Sequence, residues 1–329
     1  MLFINLALFI LSCIVLVQSN NYLVKSLAKI SYFLKLNEFT IGFIIMSVAT
    51  SLPELFVGIM SAIDGVPAFS VGNVIGSNIL DLTLVIGIAA LLAKNINIES
   101  KIIRKDMIYM LAITILPVIL LVDHHLWWKF GLFPNMTPGL SRIDGFILLC
   151  AFAYYIYNLV QQETRFSRIV DKTSRKEAIK FMLLFLISIT LLLISAHFVV
   201  DYAELLSIDL AISPLLMGLF IISLGTSLPE LMFESKAVLS QHQSMAIGDL
   251  VGSVITNSAL VLGVTAVISP IAVNTVIYLT STLFMLFAAF IFFTFSESGD
   301  RITWTEGMSL LFLYVLFIII ETYIKTTSI

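Results

Sequence analysis

Residues 42–54 read GFIIMSVATSLPE, and residues 218–230 read GLFIISLGTSLPE. Each stretch is followed by a second block, GNVIGSNILD at 72–81 and GDLVGSVITN at 248–257. The copies are offset by 176 residues in both blocks, so neither has gained or lost a residue between its two parts. The rest of the chain is oily: 59% of its 329 residues are hydrophobic, 12% are charged, and the mean hydropathy is +1.05. Soluble domains carry roughly 25% charged residues. Apolar runs of membrane-spanning length recur from end to end, which predicts an all-α polytopic membrane protein. A β-barrel would instead show alternating segments of about ten residues.

Working outward from the cassettes, ten spans are expected, at about 2–33, 39–62, 68–92, 103–122, 143–160, 179–205, 214–238, 245–269, 273–294 and 305–324. The first is long, with Ser19, Asn20 and Asn21 interrupting its apolar run. The N-terminal MLFINLALFI lacks a basic region and a cleavage site, so it reads as a retained span. Residues 161–178 form the only substantial polar linker. The chain therefore divides into a first five-helix repeat at 1–160 with its cassette at 42–81, a cytoplasmic linker, and a second five-helix repeat at 179–329 with its cassette at 218–257. An odd number of spans per repeat forces the second copy into the membrane from the other side. The ten helices should then form two inverted-topology repeats about an axis in the membrane plane.

Lysine and arginine test this layout independently. Fifteen of the eighteen fall on one side: Lys25, Lys29, Lys35, Lys94, Lys101, Arg104, Lys105, Arg165, Arg168, Lys172, Arg175, Lys176, Lys180, Lys236 and Arg301. Only Lys129, Arg142 and Lys325 fall on the other. The rich side is expected to be cytoplasmic, with both termini outside the cell membrane. Lys236 and Arg301 sit in short loops and carry this assignment least firmly.

A proline inside a helix removes an N–H and clashes with the carbonyl one turn back. Pro53 and Pro229 should each break a span near its middle, beside Thr50, Ser51 and Glu54 in one copy and Thr226, Ser227 and Glu230 in the other. Hydroxyls heal a kink comfortably, but a carboxylate at bilayer depth costs about 2.5 kcal/mol or more. Two of them among freed carbonyls and hydroxyls make an all-oxygen environment that suits hard cations such as Ca²⁺ and Na⁺. In the second block, Gly72 and Gly76, like Gly248 and Gly252, are spaced for close helix approach. Ser77 and Asp81 share a helix face, as do Ser253 and Asn257. Asn73 and Asp249 are expected to begin their helices as caps.

The doubled TSLPE, each followed by G-(N/D)-x-x-G-S, resembles the two alpha repeats of the cation/calcium exchanger superfamily, in the prokaryotic ten-span form of its sodium/calcium exchanger branch. The motifs cover about 40 residues of each half. The resemblance implies four central helices around one cation cavity, with the first and sixth spans sliding to switch access. It implies that Glu54 and Glu230 are the principal calcium ligands and that Thr50 and Thr226 contribute backbone carbonyls. It further implies that Ser51, Ser77, Ser227 and Ser253 coordinate sodium, with Asp81 and Asn257 as the paired central positions. Potassium-dependent relatives are associated with an acid where Asn257 stands, which argues against potassium. Ala49 replaces a glycine before the first TSLPE, whereas Gly225 keeps it. Glu234, one turn beyond Glu230, either extends the cation path or, as the simpler expectation, pairs with Lys236.

Glu54, Glu230 and Asp81 would place three negative charges in low dielectric, which protons or cations must balance. One Ca²⁺ leaves −1, three Na⁺ neutralise all three, and a protonated Asp81 makes the calcium form neutral. Competition for one site is sufficient for antiport, with H⁺ the alternative counter-ion. The expected activity is therefore secondary Na⁺/Ca²⁺ exchange by a protein that works as a monomer among membrane lipids, with no cofactor.

Other classes fare poorly. A net charge of −3 gives no nucleic-acid partner. There is no Gly-x-Ser-x-Gly elbow and no HExxH, which disfavours a hydrolase. Cys13 and Cys150 read as buried packing thiols. Asp123, His124, His125, Trp127 and Trp128 read as a membrane-interface segment, with Asn135-Met136-Thr137 a weak glycosylation sequon ahead of Pro138.

Overall fold

A computed structural model describes residues 2–33, 46–98, 101–129, 139–162, 175–240, 242–272 and 275–327. The first half comprises α1 (Leu2–Phe33), α2 (Met46–Thr50), α3 (Leu52–Ile63), α4 (Ala68–Leu80), a π-helical segment Asp81–Val85, and α5 (Ile86–Ala93). It continues through β1 (Asn95–Asn97), α6 (Lys101–Lys129), β2 (Gly139–Leu140) and α7 (Arg142–Gln162). The second half comprises α8 (Arg175–Asp209), α9 (Pro214–Met217), a π-helical segment Gly218–Ile222, α10 (Ser223–Thr226), α11 (Leu228–Leu239) and α12 (Gln243–Ile255). A further π-helical segment Thr256–Val261 leads into α13 (Leu262–Ile268), β3 (Ile271–Ala272), α14 (Thr275–Glu297), β4 (Arg301–Thr303) and α15 (Trp304–Thr327).

Seven of the described helices, or eight with the bent pair formed by Pro214–Thr226 and Leu228–Leu239, are long and apolar enough to cross a membrane. The chain is an integral membrane protein. The expected spans at 39–62 and 103–122 fall on α2–α3 and α6, which do not meet that test over their described residues. Ser19, Asn20 and Asn21 do not interrupt α1, which is one helix. The Ser19 hydroxyl returns to the Val15 carbonyl at 2.7 Å, so the polar side chain is satisfied without a break.

Burial separates two shells. In Ala68–Ala93 and Gln243–Ile268, 83% and 78% of the most apolar window is buried, against 33% in each of α1 and α8. The cassettes' second blocks thus form the centre, and α1 packs along α8 at the periphery more extensively than any other pair of elements. Glycines permit the central packing. A Cβ at Gly72 would overlap the Leu215 carbonyl oxygen, and one at Gly76 would overlap that of Leu219, so α4 lies directly on the span that carries the second TSLPE.

Two short antiparallel ribbons clasp the halves. β1, which follows α5, pairs with β4, which precedes α15, in the register Ile96↔Ile302. β3, which follows α13, pairs with β2, which precedes α7, in the register Leu140↔Ile271. Each ribbon joins the end of one half's central span to the start of the other half's last helix. Both last helices then begin with a reciprocal cap. Ser141 N donates to Asp144 Oδ2 at 2.7 Å while Asp144 N donates to Ser141 Oγ at 3.3 Å; Thr303 N donates to Glu306 Oε2 at 2.7 Å while Glu306 N donates to Thr303 Oγ1 at 3.4 Å.

The two least firm basic residues join others of the basic set. Arg301 pairs in register with Asn97, close to Lys94, whose carbonyl accepts from Trp304 N at 3.0 Å. Lys236 lines the same cavity as Lys25. Cys13 and Cys150 are free thiols as expected, but only Cys13 is partly enclosed, against the Gly225 backbone, and Cys150 is exposed on α7. A lipid-facing surface is as apolar as the core, so hydrophobicity could not separate the two. The interior of the linker, the first four positions of the 42–81 cassette, the 135–137 sequon, and the side chains of Asp123, His124, His125, Trp127 and Trp128 lie outside the described residues.

Candidate cation site

Both TSLPE sequences break their helices at the serine. Ser51 has φ −80° and ψ 4°, and Ser227 has φ −83° and ψ 3°. Each serine stands at the N-cap of a helix whose first turn contains the proline, where the missing N–H costs nothing. The second break bends its span by 42°. An N-cap serine ordinarily accepts from its own helix. Ser51 and Ser227 do not, and their hydroxyls are buried with no hydrogen-bond partner. Healing a kink therefore explains the threonines better than the serines: Thr50 Oγ1 lies 3.1 Å from the Met46 carbonyl, and Thr226 Oγ1 lies 3.3 Å from the Ser223 carbonyl.

All ten expected site residues are buried: Thr50, Ser51, Glu54, Ser77, Asp81, Thr226, Ser227, Glu230, Ser253 and Asn257. A reciprocal exchange between halves joins several of them. Thr50 of the first half meets Asp249 Oδ1 at 3.3 Å and Ser253 Oγ at 3.1 Å. Thr226 of the second half meets Asn73 Oδ1 at 2.9 Å and Ser77 Oγ at 3.4 Å. Each residue's counterpart lies 176 positions away. The glutamates are not matched: Ser77 Oγ donates to Glu54 Oε1 at 3.2 Å, whereas both oxygens of Glu230 lack partners.

Asp81 begins the π-helical segment that follows α4, and Asn257 is the second residue of the one that follows α12. A π turn inserts one extra residue per turn and re-aims the side chains after it. Both oxygens of Asp81 and both amide atoms of Asn257 are buried without partners. The segment that begins at Asp81 packs against α11, which carries Glu230, and Ser77, one turn before Asp81, donates to Glu54, so the three carboxylates share one neighbourhood. Ser51, Ser227 and Asn257 make no hydrogen bond to the others.

Two expectations are corrected. Asn73 and Asp249 are not caps: they lie inside α4 and α12, wholly buried, where each accepts from the opposite half's threonine. Glu234 does not pair with Lys236, because neighbours in a helix point different ways. Its carboxylate is buried with neither oxygen partnered, while Lys236 is exposed. The buried acidic set is therefore larger than three. Glu54, Asp81, Glu230, Glu234 and Asp249 are all buried, and among the described residues no Lys, Arg or His is buried with them. Sequence reasoning missed Asp249 as a site residue, although it differs from Asn73 in the same sense that Asp81 differs from Asn257. The halves thus carry one aspartate each at opposite block positions.

Buried carboxylates without partners require an external positive charge or a proton. Here the available donors are oxygen throughout, which favours hard cations. A cavity of about 590 Å³ reaches Thr50 from the side of Asn21, Lys25, Lys236 and Ser240, so the site is approached from one end of the bundle.

Comparison with known proteins agrees with this geometry. A family model described as sodium/calcium exchanger protein matches residues 4–161 and 180–323. Sodium/calcium exchanger MaX1 of Methanosarcina acetivorans is 28% identical over 98% of this chain and 100% of that protein. Inner membrane protein YrbG of Escherichia coli is 29% identical over 87% of this chain and 86% of that protein. Among solved structures, the sodium-calcium exchanger NCX_Mj, soaked with Na⁺ and Sr²⁺, superposes with a TM-score of 0.68 at 25% identity, covering 97% of this chain and 98% of that one.

Proposed function

This chain belongs to the sodium/calcium exchanger protein family, and on that premise we propose that it is a secondary antiporter exchanging Na⁺ for Ca²⁺ across the cell membrane by alternating access at one shared site. Membership makes it a cation/calcium exchanger and not an enzyme. The observation that carries the finer reading is the pairing of Glu54 and Glu230. Each comes from a different half, each follows a helix break, and each has carboxylate oxygen that no protein group satisfies. Thr50, Ser51, Ser77, Asp81, Thr226, Ser227, Ser253 and Asn257 complete an oxygen-lined site that holds either Ca²⁺ or Na⁺, never both full loads.

The architecture in this reading is ten helices in two inverted five-helix repeats, 1–160 and 179–329, with 161–178 cytoplasmic and both termini outside. The reciprocal threonine bonds, the exchanged β ribbons and the matched caps of α7 and α15 support it. The exchanger works as a monomer surrounded by lipid.

The test is ⁴⁵Ca²⁺ uptake into proteoliposomes under Na⁺, K⁺ and H⁺ gradients imposed separately. Uptake should follow the Na⁺ gradient alone and be lost in Glu54→Ala and Glu230→Ala. Uptake that follows only the pH gradient would establish the proton-coupled alternative instead.

A further inference from the structure

Glu234 and Asp249 are the two carboxylates of this group that the proposed exchange site does not use, and among the described residues no buried Lys, Arg or His accompanies them. The helix that carries Glu234, α11, packs against α12, which carries Asp249, and both side chains are buried. Glu234 follows Glu230 by one helical turn, on the same face of α11. Beside that face runs the stripe Pro229, Phe233, Lys236 and Ser240, which lines the cavity. Thr50 closes the loop, because it both borders the cavity and donates to Asp249 Oδ1 at 3.3 Å, leaving Asp249 Oδ2 without a partner.

We propose that Glu234 and Asp249 form a second cation subsite, displaced one helical turn from the central site toward the cavity, which holds a monovalent hard cation, Na⁺, on its way to or from Glu230. The inference rests on the exchange reading for the identity of the ion. Three considerations carry it. When ionised, the five carboxylates carry more charge than one Ca²⁺ or three Na⁺ balances, which leaves charge for a further cation. The oxygens concerned, both of Glu234 and Oδ2 of Asp249, are buried and unpartnered, as donors awaiting a ligand are. Ca²⁺ takes roughly six to eight oxygens. Two carboxylates, one of them already engaged by Thr50, offer too few for a calcium ion that has shed its water, but suffice to hold a monovalent ion.

The test is equilibrium binding of ²²Na⁺ and ⁴⁵Ca²⁺ to the purified full chain in lipid nanodiscs. Glu234→Gln and Asp249→Asn should each saturate with one fewer ²²Na⁺ than the unsubstituted protein. The double variant should lose no more than either alone, because both carboxylates hold the same ion. Ser235→Ala, a neighbour outside the pair, should bind the full number. Glu230→Gln is the separate arm for the central site and should lose ⁴⁵Ca²⁺ binding. If it retains binding, the exchange reading fails while the count for Glu234→Gln still stands or falls on its own. Unchanged ²²Na⁺ saturation in Glu234→Gln and Asp249→Asn would overturn the subsite, since a carboxylate that merely carries a proton leaves the sodium count intact. Loss of two ions in the double variant would also overturn it. If Glu234→Gln does not yield folded protein, the sodium count of Asp249→Asn alone decides between the same two outcomes.

Discussion

The hydroxyl of Thr50 lies 3.3 Å from Oδ1 of Asp249, joining residues 199 positions apart in sequence. Its mirror, Thr226 to Asn73 at 2.9 Å, joins the same two motif positions in the opposite sense. The threonine of each TSLPE is therefore a strut to the other half's second block, and the two halves meet through these struts at the level of the carboxylates. A hydrogen bond to a charged group contributes about 1.5–3 kcal/mol. Thr50→Val should accordingly lower thermal stability more than Thr226→Val, whose partner is a neutral amide. Differential scanning fluorimetry of the two variants in the same detergent checks the order.

Glu54 and Glu230 differ in a way their identical motifs do not suggest. Ser77 holds Glu54 at 3.2 Å, and no matching bond from Ser253 reaches Glu230. Ser77→Ala should weaken ⁴⁵Ca²⁺ binding by about tenfold or more, as loss of a bond to a carboxylate predicts. Ser253→Ala should weaken it by less. Equal losses would mean that both glutamates are held alike when the ion is bound.

The aspartates alternate between halves: Asp81 with Asn73 in the first, Asp249 with Asn257 in the second. Asp81→Asn removes one charge from the centre, and adding Asn257→Asp restores it on the other side of the same neighbourhood. Sodium-driven ⁴⁵Ca²⁺ uptake should fall at least tenfold in the single variant and recover most of that loss in the double. No recovery would show that the acid must stand on the first half.

Two glycines that look alike in sequence should respond differently to a methyl group. Gly72→Ala drives a Cβ into the Leu215 backbone carbonyl, which cannot move aside, and should cost about 1–3 kcal/mol of stability. Gly225→Ala meets only the Cys13 side chain, with Sγ at 3.0 Å, and the equivalent position of the first half is already Ala49. It should be tolerated within about 0.5 kcal/mol. Melting temperatures of the two variants decide this.

The cavity gives a direct test of sidedness. Ser240→Cys and Met245→Cys, in a chain with Cys13 and Cys150 replaced by serine, place single thiols on its wall. A membrane-impermeant maleimide should label both from the side that carries Lys25 and Lys236, and from that side only. Labelling from the opposite face would reverse the assigned orientation.

That the chain is helical, apolar and doubled is legible in the residues alone, because the hydrophobic runs and the 176-residue offset are properties of the string. The string also located the helix breaks, since a proline's effect on its own backbone is local. The close approach at Gly72 and Gly76 was legible for the same reason: a missing side chain is visible without knowing the neighbour. What lay beyond it was whatever depends on a partner far along the chain. Asn73 and Asp249 looked like caps because their letters suit caps, yet they lie within helices and receive threonines from the opposite half. The π turns at Asp81 and Asn257 left no mark in the spacing. Glu234 sits beside Lys236 in the string, and only the packing of α11 turns one into the core and the other outward. In a chain whose lipid-facing and core-facing surfaces are equally apolar, composition does not say which side of a helix is inside. Only the packing settles that, and with it that Glu234 and Asp249 are buried as fully as Glu54, Asp81 and Glu230.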